Sequence, residues 1–129
     1  MSVRLAALCI AALALASAAG AAPAFKATFN APTHTPKVNA KWFYTVRVTN
    51  LHGKPIRATI TSQIVDPYGG VHAVQFRNTG KNITNRPFTG VFRDYAQFPP
   101  ESGGIRLTFR VTVKALGGRR VLTYWVKAR

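Results

Sequence analysis

Residue types able to do metal or covalent chemistry are few in this chain and stand far apart. The histidines are His34, His52 and His72, each in a different segment, with no H-x-H or H-x-x-x-H spacing. A copper or zinc centre needs imidazole or thiolate ligands brought together. Cys9 is the one cysteine and Met1 the one methionine, so only a convergence of the three histidines in space would build a site. Nucleophilic catalysis needs a base and an orienting group within reach of the nucleophile. Beyond the first 22 residues the serines are Ser62, in a strand-like run, and Ser102, in "ESGG", and no G-x-S-x-G elbow occurs. Three acids in all, Asp66, Asp94 and Glu101, supply paired-carboxylate catalysis poorly. Asp66 precedes a turn proline, and Asp94 beside Arg93 reads as a local ion pair. No Gly-rich loop opens a helix to cradle phosphate. Asn82-Ile83-Thr84 matches a glycosylation acceptor and is read as a chance match, bacterial origin being the expectation. The expectation is a protein that is not an enzyme and has no cofactor and no metal.

Surface recognition remains, and charge points to it. Eighteen Lys and Arg stand against three Asp and Glu, a formal charge of +15. Such a field attracts polyanions. Its densest expression is "RLTFRVTVK", residues 106–114, where Leu107, Phe109, Val111 and Val113 alternate with Arg106, Thr108, Arg110, Thr112 and Lys114. "RRVLTYWVK" follows across Gly117-Gly118. Taking those glycines as a two-residue turn sets Leu116 opposite Arg119. One face then pairs Val113 with Leu122, Val111 with Tyr124, Phe109 with Val126 and Leu107 with Ala128. The other pairs Lys114 with Val121, Thr112 with Thr123, Arg110 with Trp125, Thr108 with Lys127 and Arg106 with Arg129. A slip of one residue would set Phe109 against Lys127, which a buried face forbids.

The hairpin thus puts Trp125 outside, among Arg106, Arg110, Lys114, Lys127 and Arg129. These six are the candidate binding residues. Two roles fit them. Arg110 can cover the indole as a cation–π pair worth ~0.5–1 kcal/mol. Alternatively, the cations neutralise anionic groups while the ring stacks on a sugar or base. Arg106 opposite Arg129 is a like-charge pair, costly unless fraying or an anion relieves it.

The elements that must position these residues are strands. Residues 24–30 alternate with Phe25, Ala27 and Phe29 on one side. Pro32 and Pro36 make the next stretch a loop. "WFYTVRVTN" buries Trp42, Tyr44, Val46 and Val48. "IRATITSQIV" buries Ile56, Ala58, Ile60 and Ile64. "DPYGG" is a turn, and "VHAVQF" follows. Residues 78–87 are a polar loop. "FTGVFRDYAQF" is a strand with a break at Gly90, and "PPESGG" ends it. No convincing helical period follows the first 22 residues. About seven short strands with turns between them predict an all-β antiparallel sandwich, with a small barrel as the alternative.

Residues 1–22 read as a secretory signal peptide: Arg4, then an apolar run short for a spanning helix, then "ASAAGAA" with small-residue cleavage sites after Ala18 or Ala21. An uncleaved anchor is the other reading. Cys9 lies inside the apolar run, not at its end, which argues against a lipoprotein. Residues 23–129 form one domain, about 107 residues, with no cysteine and hence no disulfide. Seventeen bases against three acids leave it a charge of +14. No later stretch is apolar and long enough to span a bilayer. The expected location is extracytoplasmic, in the periplasm or at the cell surface.

"YTVRVTNLHGKPIRATIT" resembles bacterial secreted immunoglobulin-like and fibronectin-like domains, in which an alternating strand runs into a polar-x-x-Gly-x-Pro turn and a second strand. The matching positions are Val46, Val48, Asn50, Gly53, Pro55 and Ile56, with Asn50 where Asp is usual. The resemblance implies an immunoglobulin-like sandwich and an extracellular binding, adhesion or spacer role. Its tandem arrangement is not present in this single domain. Three expectations follow: a module for anionic polysaccharide or another polyanion of the envelope or matrix, a module that docks a protein partner or joins an assembly, and a periplasmic metal-handling sandwich.

Overall fold

The structure, a computed structural model, describes residues 24–74, 76 and 84–129. The leader 1–22 with Cys9, and Asn82 and Ile83 of the acceptor triplet, lie outside the described residues. Eight strands appear in the described chain: β1 (Phe25–Asn30), β2 (Lys41–Asn50), β3 (Arg57–Val65), β4 (Val71–Ala73), β5 (Arg86–Thr89), β6 (Val91–Gln97), β7 (Arg106–Ala115) and β8 (Gly118–Lys127). A single 3-10 turn, Pro100–Ser102, links β6 to β7. Every pairing is antiparallel. One sheet runs β1-β2-β6. In the other, β3 pairs β7 on one side and both β4 and β5 on its other side, and β8 lies beyond β7. The two sheets make an all-β sandwich, and no described helix is long and apolar enough to cross a membrane.

The alternating runs become the two inner faces. Trp42, Tyr44, Val46 and Val48 are buried on β2, Ala58 and Ile60 on β3, and Leu107, Phe109, Val111 and Val113 on β7. Ile56 and Ile64, expected inside, are only half-buried. Between Ile60 and Ile64 the core takes a polar side chain instead. Ser62 is buried and its hydroxyl meets that of Tyr44 at 3.2 Å. That contact satisfies two buried polar groups, and burial raises the Tyr44 phenol far above its ordinary pKa.

One strand more than expected forms because the chain divides at Gly90. Its N–H donates to Ile56 O at 3.0 Å, and its carbonyl accepts from Val48 N–H at 2.8 Å. β5 therefore lies in one sheet and β6 in the other. Only glycine suits this corner: φ is +71°, and a Cβ would stand 2.7 Å from Pro55 Cβ.

Two turns share one design. Asn50 Oδ1 accepts from the N–H groups of His52 and Lys54, and Asp66 Oδ1 accepts from those of Tyr68 and Gly70, all at 2.9 Å. Gly53 and Gly69 follow at the same offset with positive φ. A side-chain oxygen two atoms from the backbone is the requirement, so Asn50 serves as an Asp would.

Candidate basic face on the five-stranded sheet

The β7–β8 turn is Leu116-Gly117, with φ of 49° and 73°, and Ala115 pairs with Gly118. The expected Gly117-Gly118 turn lies one residue further on. Both central positions of a two-residue turn of this kind need positive φ, and a leucine there costs about 1–2 kcal/mol. Packing offsets that cost. In the observed register Tyr124 stands opposite Phe109, and its ring lies 5.1 Å from Phe29 and 5.9 Å from Trp42. Each such aromatic pair contributes about 0.5–1.5 kcal/mol. Moving the turn by one residue shifts every partner by two, so each side chain keeps its face but changes its neighbour.

All six candidate residues consequently share the outer face, with different partners. Trp125 is 38% exposed and stands opposite Thr108, not Arg110. Arg106 stands opposite Lys127, not Arg129, and its guanidinium lies 4.7 Å from the centre of the Trp125 ring system. Arg110 turns away toward β3. Its Nη2 and Nε donate to Gln63 Oε1 at 2.8 and 3.3 Å. Lys114 stands between Thr59 of β3 and Arg119 of β8. Arg129 Nε donates to Thr35 O at 3.3 Å, beside the strap described next.

Residues 34–38 form a strap along the open side of β8. Lys127 N–H donates to His34 O, Arg129 N–H donates to Pro36 O, and Val38 N–H donates to Arg129 O, at 2.8 to 3.0 Å. The His34 ring stacks on Tyr124 at 3.9 Å and on Trp125 at 4.0 Å. Those two side chains leave β8 on opposite faces, so the imidazole lies between them. Its Nδ1 is 2.6 Å from Trp125 O. A carbonyl only accepts, so Nδ1 carries the proton. The resulting order is Tyr124, His34, Trp125, Arg106. Both faces of the indole are covered, one by imidazole and one by guanidinium, and the ring is not a free stacking platform. Its role is to hold Arg106 and to anchor the strap.

Electrostatics sharpen this face. Lys114 and Arg119 form a directly opposed like-charge pair, and Arg106 and Lys127 form a second. Eight residues of β7 separate the two rows, about 27 Å at strand rise. Arg110 lies midway. None of these cations makes an ion pair among the described residues. The acids are engaged elsewhere. Asp66 meets His72 Nε2 at 2.9 Å, and that hydrogen bond, with help from the Gly70 N–H, lowers its pKa. Asp94 points inward from β6 while Arg93 points outward, which overturns the expected pair between them. Its Oδ1 accepts from Tyr95 N–H at 2.8 Å. Glu101 sits on the 3-10 turn.

Sequence reasoning missed Arg119, Gln63 and His34. Arg119 was hidden by the turn assignment, and Gln63 by its strand-internal position. His34 lies 91 residues from Trp125, and no local pattern reports such a contact. His34, His52 and His72 have separate surroundings: the strap, the β2–β3 turn and the Asp66 turn. Among the described residues no three His, Cys, Asp or Glu side chains gather as metal ligands. Neither a protein-family model nor a curated protein matches the chain.

Proposed function

We propose that this protein is an exported, non-enzymatic module of immunoglobulin-like type that binds anionic polymers of the envelope or matrix on the outer face of its five-stranded sheet. One observation carries the proposal: two rows of directly opposed cations, with Arg110 between them, and no acid paired to any of them. Like charges across a strand pair destabilise the sheet, and a polyanion that spans both rows removes that cost while releasing its own counterions. Sheet order supports the immunoglobulin-like reading, because β1-β2-β6 packed against β3-β7-β8 is the arrangement of that sandwich. The apolar leader with its small-residue cleavage sites supports export.

Binding of the full chain to a sulfated polysaccharide across a salt series tests this. Log affinity should fall linearly with log salt, with a slope equivalent to several neutralised charges. No binding at low salt to this polymer, to one bearing phosphate or to a carboxylated one would end the proposal. A second reading, docking to a protein partner, rests on the β8 edge. Among the described residues, the outward backbone groups of Arg119, Val121 and Thr123 have no hydrogen-bond partner, and an open edge accepts an added strand. Sizing of the purified protein discriminates it, since a discrete stoichiometric complex favours docking.

A further inference from the structure

Near the hairpin end of the basic face, Gln63, Arg110, Thr112, Arg119 and Val121 line a shallow hollow of about 320 Å³. Its chemistry is one-sided. Gln63 Oε1 is occupied by the two bonds from Arg110, which leaves the amide NH2 as the free polar group of that side chain. The same two bonds fix the Arg110 guanidinium and leave Nη1 uncommitted. The Thr112 hydroxyl and the Arg119 guanidinium make no hydrogen bond to a described residue. Gln63, Arg110 and Thr112 are half-buried, while Arg119 and Val121 are exposed. The hollow therefore presents two guanidinium groups, an amide NH2 and a hydroxyl, with no carboxylate among its walls.

We infer that this hollow is an oxyanion subsite for a tetrahedral terminal group, a sulfate ester or a phosphate monoester, carried on the polymer. The inference rests on the polyanion reading above and names the group that reading leaves open. A planar carboxylate is satisfied by the fork of one guanidinium. A tetrahedral group offers three free oxygens in three directions, which matches donors arriving from β3, β7 and β8. Pre-orientation by Gln63 matters because an ordered guanidinium loses less freedom when it binds.

The test uses charge-neutral substitutions, which a purely electrostatic face would not register. Full-chain protein is titrated with a sulfated polysaccharide, a polymer bearing phosphate monoesters and a carboxylated polysaccharide of equal charge density, at fixed salt. Gln63→Leu and Thr112→Val should each weaken the preferred tetrahedral polymer about three- to tenfold, the effect of losing one or two hydrogen bonds. Affinity for the carboxylated polymer should stay unchanged. Arg110→Lys, which keeps the charge and loses the fork, should behave like Gln63→Leu. The sulfated and phosphorylated arms identify the source of the group. Equal affinity for tetrahedral and planar polymers, or wild-type binding by folded Gln63→Leu and Thr112→Val, would overturn the subsite and leave the basic face standing. Absence of binding to all three polymers would overturn both.

Discussion

On the outer face of the β1-β2-β6 sheet, each cation stands across from neutral side chains. Lys26 faces Thr49, Arg47 faces Thr28 and Val91, Arg93 faces Thr45, and Lys41 faces Gln97 with its ammonium 4.9 Å from the Tyr95 ring. On the outer face of the five-stranded sheet, Lys114 faces Arg119 and Arg106 faces Lys127. Both faces are basic, and the five-stranded one carries more cations: Arg57, Arg106, Arg110, Lys114, Arg119 and Lys127 against Lys26, Lys41, Arg47 and Arg93. The two also differ in pairing. Dispersed cations keep a sheet soluble with less self-repulsion than directly opposed ones. Opposed cations store repulsion that a bound anion relieves. Charge placement as well as charge quantity distinguishes the two faces.

That contrast can be broken in several ways. The largest effect should come from Gly90, the corner through which both sheets are joined. Gly90→Ala combines a positive φ with a clash against Pro55, and chemical denaturation should record a loss of about 2–4 kcal/mol. Both faces should suffer together, which makes it the control for sheet integrity. Next, Arg106→Glu with Lys114→Glu should lower affinity for a sulfated polysaccharide by a factor on the order of 10–100. Lys41→Glu with Arg47→Glu, the same charge change on the other face, should lower it less than about threefold under the same principle of distributed counterion release. Equal losses would erase the distinction.

Stability should move the other way. Lys114→Thr removes one opposed pair and should stabilise the free protein by about 0.2–1 kcal/mol at low salt, with the gain fading as salt screens the pair. Arg47→Thr should leave the melting temperature unchanged. The smallest effect concerns Asp66, which follows β3 but is committed to its turn and to His72. Its folded pKa lies below the ordinary value of 3.8. The stabilisation is therefore present above that value and is lost as pH falls through the lowered one. The melting temperature of wild type should exceed that of Asp66→Asn at pH 6, and the gap should begin to narrow as pH falls below about 4, closing only once pH is below the lowered folded pKa. Polymer affinity should be unaltered.

Much of this was legible in the alternation of side chains. "WFYTVRVTN" and "RLTFRVTVK" each have one apolar face, and a period of two leaves no doubt about which residues go inside. Trp125 lies outside and Tyr124 inside for the same reason. Partner identity was not legible, because two glycines beside a leucine offer two turns whose registers differ by two residues. Local turn chemistry favoured Gly117-Gly118. The aromatic cluster around Tyr124, assembled from β1, β2 and β7, decided for Leu116-Gly117. Gly90 announced a break but not that the chain would change sheets there. The covering of Trp125 depended on His34, which arrives from a loop near the other end of the domain.

The His34 strap has a kinetic consequence. Its contact with Trp125 closes 91 residues of chain, and the entropy of such a closure must be met before the stack rewards it. The backbone bonds of residues 34, 36 and 38 to Lys127 and Arg129 cannot form until β8 is in place. During folding the whole β8 edge is therefore an unpaired ladder, the kind of template that recruits a second chain. The adjacent Arg119 and Arg120 at its start supply repulsion between like chains for that interval. In the finished fold the strap and its imidazole close only the C-terminal part of that edge, residues 125–129.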